Sequence, residues 1–220
     1  VICGRNIDTL KNSSEEISSK SGRECFYVQG DITSENDRKR ILSYSTSKIG
    51  SIDILVTNSG GPKPGNFDEH DNVDWSDAYS LLIESTISMI RGALPGMKER
   101  NWGRIITITS QAVKQPVEGL ILSNSIRSAL LGLVKTLSFE LGKYNITVNN
   151  VLPGYTLTDR LENLIKQRGT SLENISVDVP LKRVGLPNEF AAAVAFLASE
   201  KASYITGVSL PIDGGWIKGI

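Results

Sequence analysis

Three polar side chains in the middle of the chain lie at a strand end and on the helix that follows it, where a ligand could meet them. Ser110 closes the run Arg104-Ile-Ile-Thr-Ile-Thr-Ser110, Ser123 follows thirteen residues later, and Arg127 stands four beyond that. A serine hydroxyl at a strand end can polarise a carbonyl by hydrogen bonding. An alkyl hydroxyl titrates far above a phenol, which sits at about 10, so Ser123 is a poor general acid. Arg127 brings a fixed positive charge and several donors, and it cannot release a proton.

The surrounding elements must bring these residues to one edge. The β-branched run ending at Ser110 reads as a parallel strand covered on both faces. A long helix opens at Leu122, with Ile126, Leu130, Leu133, Val134, Leu137 and Leu141 on its apolar stripe. Strand end, loop and next helix together make a cleft at the carboxyl edge of a sheet, where open α/β folds bind ligands. The same alternation runs through the chain. Asp8 to Ser21 reads as a helix with Leu10 and Ile17 inward, and Glu24 to Gln29 as a strand. Ser34 caps a polar helix to about Ile49. The strand Ile52 to Asn58 breaks into the punctuated loop Ser59 to Gly65. A helix from Trp75 to Arg100 carries Pro95, which should kink or weaken it near its end. Thr147 to Leu152 is a strand stopped by Pro153-Gly154. Pro187 opens an alanine-rich helix, and Val208 to Ile212 is a last strand. The expected architecture is α/β, a doubly wound, mostly parallel sheet in one domain spanning residues 1–220.

Composition narrows the function classes. The 24 basic and 24 acidic residues balance, and no basic block is interleaved with aromatics, so no nucleic-acid partner is expected. No apolar run approaches the roughly 18 residues of a membrane span. Cys3 and Cys25 read as free core thiols, which points to a reducing cytoplasm. His70, the single histidine, lies among acidic residues and reads as a surface side chain.

The stretches Thr57-Asn-Ser-Gly60, Leu94 to Ile106, Thr107-Ile-Thr-Ser110, Asn149 to Thr158 and Pro211-Ile-Asp-Gly-Gly215 together resemble the short-chain dehydrogenase/reductases. The likeness is strongest to the 3-oxoacyl-carrier-protein reductase branch with its sugar and alcohol dehydrogenase relatives. It implies a Rossmann-like fold and an oxidoreductase interconverting a small carbonyl and a secondary alcohol with a nicotinamide cofactor. It also implies a homotetramer, or at least a dimer, and no metal. Aligned this way, Val1 to Asn6 falls on the family's second strand. A first strand, a glycine-rich phosphate loop and a helix, roughly 30–35 residues, are then expected before Val1.

The resemblance places cofactor contacts at Asp31 and Ile32 (about adenine), at Asn58, Ser59 and Gly60, and at Pro153, Gly154, Thr156 and Thr158 near the nicotinamide. At Gly60 the missing side chain would let the adenosine half lie against the backbone. The end of the second strand, Gly4-Arg5-Asn6, has no carboxylate for ribose hydroxyls. Arg5 can instead pair with a phosphate, which favours NADP, with NAD the alternative. The family's reaction uses serine, tyrosine, lysine and asparagine. Here Ser110 keeps the serine, Ser123 and Arg127 replace the tyrosine and lysine, and Leu82 falls on the asparagine. Arg127 keeps the charge that would hold the nicotinamide ribose. Lys114 and Glu118, on the loop between strand and helix, and Tyr155, after Pro153-Gly154 at the cleft edge, are the candidates for a substitute acid. The alternative reading is a nucleotide-binding pseudoenzyme that senses or scaffolds.

Overall fold

In the computed structural model, residues 1–219 are described, the side chains of Gln167 and Arg168 excepted. The chain alternates short strands with longer helices: β1 (Ile2–Gly4), α1 (Ile7–Ser21), β2 (Tyr27–Gln29), α2 (Glu35–Ile49), β3 (Ile54–Thr57), α3 (Asn72–Tyr79) and α4 (Ser85–Glu99). β4 (Gly103–Ile108), α5 (Ile121–Leu141), β5 (Ile146–Pro153), α6 (Asp159–Arg168), α7 (Leu172–Ser176), α8 (Pro187–Ala198) and β6 (Ser209–Ile212) complete it. Every described strand pairing is parallel. β1 and β2 form one pair, and β3-β4-β5-β6 form a second sheet in that order. All strands therefore send their carboxyl ends the same way within each sheet, the geometry that gathers a ligand site at one edge.

β4 and β5 are covered on both faces. Ile105 and Val148 join Leu55, Ile90, Met97, Val134 and Leu141 in the core under α4 and α5. Ile106 and Val151 point the other way, to Leu197 and Ala202 beside α8. Strand residues alternate between faces, so a continuous apolar run is what a two-sided strand needs. Two adjacent asparagines interrupt that run on β5, and both are fully buried. Asn150 Oδ1 accepts from the hydroxyls of Thr107 (3.0 Å) and Thr109 (2.9 Å). On the opposite face Asn149 donates to the Ile205 carbonyl (2.8 Å) and accepts from the Val208 N–H (3.2 Å).

Several expectations shift at this level. Ile17, expected inward, is exposed on α1, and Leu10 alone of the two is buried. Cys3 is exposed and Cys25 half-buried, so neither thiol sits in the core; the short edge strand β1 leaves Cys3 uncovered. Pro95 lies inside α4 without ending it. What breaks regularity instead is a π-helical turn at Ser80–Glu84, between α3 and α4. The Ser85 and Thr86 hydroxyls donate back to the carbonyls of Leu81 (2.5 Å) and Leu82 (2.8 Å), so the widened turn leaves fewer carbonyls unpaired. The Glu84 it carries meets the buried Arg38 of α2 at 2.7 Å. Arg38 also donates to the carbonyls of Ile32 and Thr33, both 2.9 Å. One guanidinium thereby ties the loop after β2 to the long helix.

At the start of α8, Glu189 accepts from the Leu186 N–H (2.8 Å) and from both terminal nitrogens of Arg183. The Arg183 fork, and then the capping N–H, pull its carboxyl from 4.5 to about 2. A lowered folded pKa stabilises above the unfolded value and is lost as pH falls through the folded one. The melting difference between wild type and Glu189→Gln is therefore expected to be constant above about pH 5 and to shrink from 4.5 down toward 2. Paired thermal melts across that range check it.

Candidate active site

The carboxyl ends of β1, β2 and β3 open onto a cavity of about 820 Å³. Cys3, Gly4, Arg5, Gly30, Asp31, Ile32 and Thr33 line one side, and Asn58 to Lys63 the other. Asp74, Asp77, Ala78, Ser80 and Leu81 of the long helix close it. Six residues named from sequence, Arg5, Asp31, Ile32, Asn58, Ser59 and Gly60, thus share one space. A Cβ at Gly60 would meet nothing within 4 Å, so the backbone there stands open to a ligand. Asp31 is ionised below the ordinary carboxylate range, chiefly because the Thr33 N–H and then its hydroxyl bond to it. The same Asp31 Oδ1 takes both bonds, at 2.9 and 2.8 Å, and so shapes the turn that Arg38 anchors. Size, open backbone and paired polar groups fit a dinucleotide.

Beyond Gly60 the wall passes to β4 and α5. Arg127 is 6% exposed, and donates to the carbonyls of Ile108 (3.3 Å) and Gly60 (3.0 Å). It joins the end of β4 to the loop of the nucleotide cavity. Among the described residues no carboxylate pairs with it. Burial, and then the neighbouring Arg160, lower it to about 10, so it remains charged at neutral pH. Ser110 accepts from the Ala112 N–H at 3.1 Å, and its own hydroxyl proton has no acceptor among the described residues. Ser123 is buried on the first turn of α5, and no hydrogen bond joins it to Ser110 or Arg127. Leu82, 1% exposed, sits in the π turn and packs on Ile83 and Leu130.

Pro153, Gly154, Thr156 and Thr158 stand outside the lining of the large cavity. Thr156 bridges to Gly185. Thr158 caps α6, accepting from the Leu161 N–H at 3.4 Å while donating to the Thr156 carbonyl at 3.3 Å. Tyr155 meets the Trp216 ring edge-on at 6.0 Å. Lys114 and Glu118 are exposed on the β4–α5 loop.

His70 is a correction. Its imidazole is wholly enclosed and not at the surface, with Nδ1 3.1 Å from Asp74 Oδ2. It lies beneath Gly65, where any Cβ would come within 2.8 Å of Nε2. The acidic neighbours that suggested solvent include the Asp74 that holds the ring. Sequence reading also passed over Arg38, Lys63, Asp74 and Arg160, because each acts on a partner distant in the chain or on a loop of irregular shape.

The family model for enoyl-(acyl carrier protein) reductase matches residues 1–217. The chain belongs to the short-chain dehydrogenase/reductase family. Within this family it is 35% identical to the NADPH-dependent reductase BacG of Bacillus subtilis (strain 168), covering 100% of this chain and 88% of that one. It is 32% identical to the 3-oxoacyl-[acyl-carrier-protein] reductase FabG of Aquifex aeolicus (strain VF5), over 98% of this chain and 86% of the relative. Among solved structures, the L-sorbose reductase from Gluconobacter frateurii complexed with NADPH and L-sorbose superposes with a TM-score of 0.93. That structure is 30% identical and covers 100% of this chain and 87% of its own. The short-chain dehydrogenase/reductase fold here thus carries an open cleft at the carboxyl ends of its strands, with Arg127 and Ser110 beside it.

Proposed function

We propose that this short-chain dehydrogenase/reductase is an NADPH-dependent reductase of a small-molecule carbonyl, in which a fixed charge does the work usually given to a proton donor. The observation that carries this is Arg127: buried, without a carboxylate partner among the described residues, and tied to both the β4 end and Gly60. When bound, the nicotinamide supplies the hydride. Asn58, Ser59 and Gly60 would hold the adenosine half, Asp31 and Ile32 the adenine, and Arg5 the 2′-phosphate. Pro153, Gly154, Thr156 and Thr158 would form the wall on the nicotinamide side. The NADPH named for the Bacillus and Gluconobacter relatives supports the choice of NADP.

Ser110, its hydroxyl proton free, would donate to the carbonyl oxygen. Arg127 would stabilise the negative charge that grows there, since a positive group in a dry site is worth far more than in water. Ser123 contributes a hydroxyl and not an acid. Protonation of the resulting oxygen is left to water or to Lys114, whose ammonium stands on the loop that follows Ser110. Assembly as a homotetramer or dimer and a cytoplasmic setting belong to the same reading. The exposed Phe139 on α5 and the exposed Phe196 and Val208 at α8 and β6 support an apolar contact between copies.

The test is a titration with NADPH beside steady-state reduction of a ketone panel by the full-length protein. Tight binding with measurable turnover is expected. Tight binding with no turnover on any ketone would favour a nucleotide sensor, and failure to bind NADPH would end both readings.

A further inference from the structure

Two guanidinium groups reach adjacent residues of one loop at the cleft. Arg127 reaches Gly60 from α5, and Arg160 reaches Gly61 from α6. The Arg160 fork occupies the space that a Cβ on Gly61 would fill. The two charges are close enough for Arg160 to depress Arg127 further. Among the described residues neither has a carboxylate within ion-pair distance: the exposed Arg160 has none, and Arg127 differs in this from the other buried arginines described, Arg38 and Arg104, which each have one. Asp159, beside Arg160 in sequence, forms no ion pair among the described residues either. Two like charges side by side, one of them buried, are unfavourable until an anion joins them.

From this arrangement we infer that the substrate carries a carboxylate, and that Arg160, backed by the charge of Arg127, is its docking group. The inference rests on the reductase reading and adds the substrate class to it. Placement favours the substrate over the cofactor's pyrophosphate as the source of the anion. The large cavity is lined by the Gly60 and Gly61 residues themselves, while neither arginine lines it. Arg127 is held by Ile108, two residues before Ser110. Arg160 stands on the helix that Thr158 caps, on the β5 side of the cleft. The pair therefore faces the place where the carbonyl must lie. Arginine suits this role because its planar fork matches the two oxygens of a carboxylate.

The experiment compares ketone pairs that differ only in charge: benzoylformate with its methyl ester, and levulinate with its methyl ester. The full-length wild type, Arg160→Ala, Arg160→Lys and Gly61→Ala are assayed with NADPH, alongside NADPH titrations of each. Wild type is expected to prefer the acids. Arg160→Ala should raise KM for the acids by about 10–100-fold, the range for one charge-assisted contact, and leave KM for the esters and the NADPH affinity unchanged. Arg160→Lys should recover part of the loss. Gly61→Ala tests the geometry by another route, because the new methyl displaces only the end of the flexible Arg160 side chain; since Gly61 also lines the nucleotide cavity, its readout is the acid-to-ester KM ratio, which should rise as in Arg160→Ala. An acid-to-ester KM ratio unchanged in both variants, or weakened NADPH binding in Arg160→Ala, would overturn the inference. Absence of NADPH binding, or of turnover on both members of each pair, would instead sink the reductase reading.

Discussion

Replacing Leu82 with asparagine, the residue that the family resemblance expects there, should lower stability by about 2–4 kcal/mol without raising turnover. The side chain is 1% exposed and packs with Ile83 and Leu130. Losing a buried leucine costs about 2–5 kcal/mol when it is cut to alanine. An asparagine fills part of the volume but brings two polar groups that find no partner among these aliphatic neighbours. The same logic limits any rebuilding of the usual reaction centre. Ser123→Tyr must also place a ring where a mostly buried hydroxyl now sits, with an overpacking cost of about 1–3 kcal/mol unless the ring turns into the cleft. Denaturant melts of Leu82→Asn, Ser123→Tyr and the triple variant with Arg127→Lys check this. A triple variant as stable as wild type would show that the cleft has kept the older shape.

The second large effect falls on Arg127→Ala. NADPH affinity should drop by about 1–3 kcal/mol, the range for a charge-assisted hydrogen bond. Stability should fall too, since the carbonyls of Ile108 and Gly60 would lose the donor that joins them. Arg127→Lys should keep much of the binding, because one ammonium can still supply the charge but not the two-pronged reach. Calorimetric titration with NADPH, together with thermal melts, separates the two losses. Full NADPH affinity in a stable Arg127→Ala protein would show that the charge serves only the substrate.

What was legible in the sequence was whatever is local or periodic. The stripe on α5 is buried where the spacing put it, at Leu130, Val134 and Leu141. Ser34 caps α2 by accepting from the Asp37 N–H, a contact written into neighbouring residues. The strand-end residues Asn58 to Gly60 reached the same cavity as Arg5 and Asp31 because parallel strands align their carboxyl ends. Contacts between distant segments were not legible. Arg38 and Glu84 lie 46 positions apart, and nothing in a polar helix marks one arginine as buried. Arg160 needed the Gly61 loop to be folded before its position had meaning. His70 reversed its expected setting because the glycine above it removes the atom that would have kept the ring outside. Local hydrophilicity says how a residue is hydrated in an extended chain, not what the rest of the molecule later lays over it.

The paired asparagines of β5 act as a gauge for the whole sheet. A sheet held only by apolar packing could slide by two residues and still present aliphatic side chains to the same face. Asn149 and Asn150 forbid that. A slide would carry Asn150 away from Thr107 and Thr109, and Asn149 away from the turn that enters β6, stranding amides on both faces at once. Each stranded group would cost about 1–3 kcal/mol, so mispaired arrangements are penalised before the core has finished packing. Ser110 and Gly154 lie just beyond the ends of β4 and β5. The alignment that brings these two strand ends to one edge is thus enforced from inside the sheet, by residues buried away from that edge.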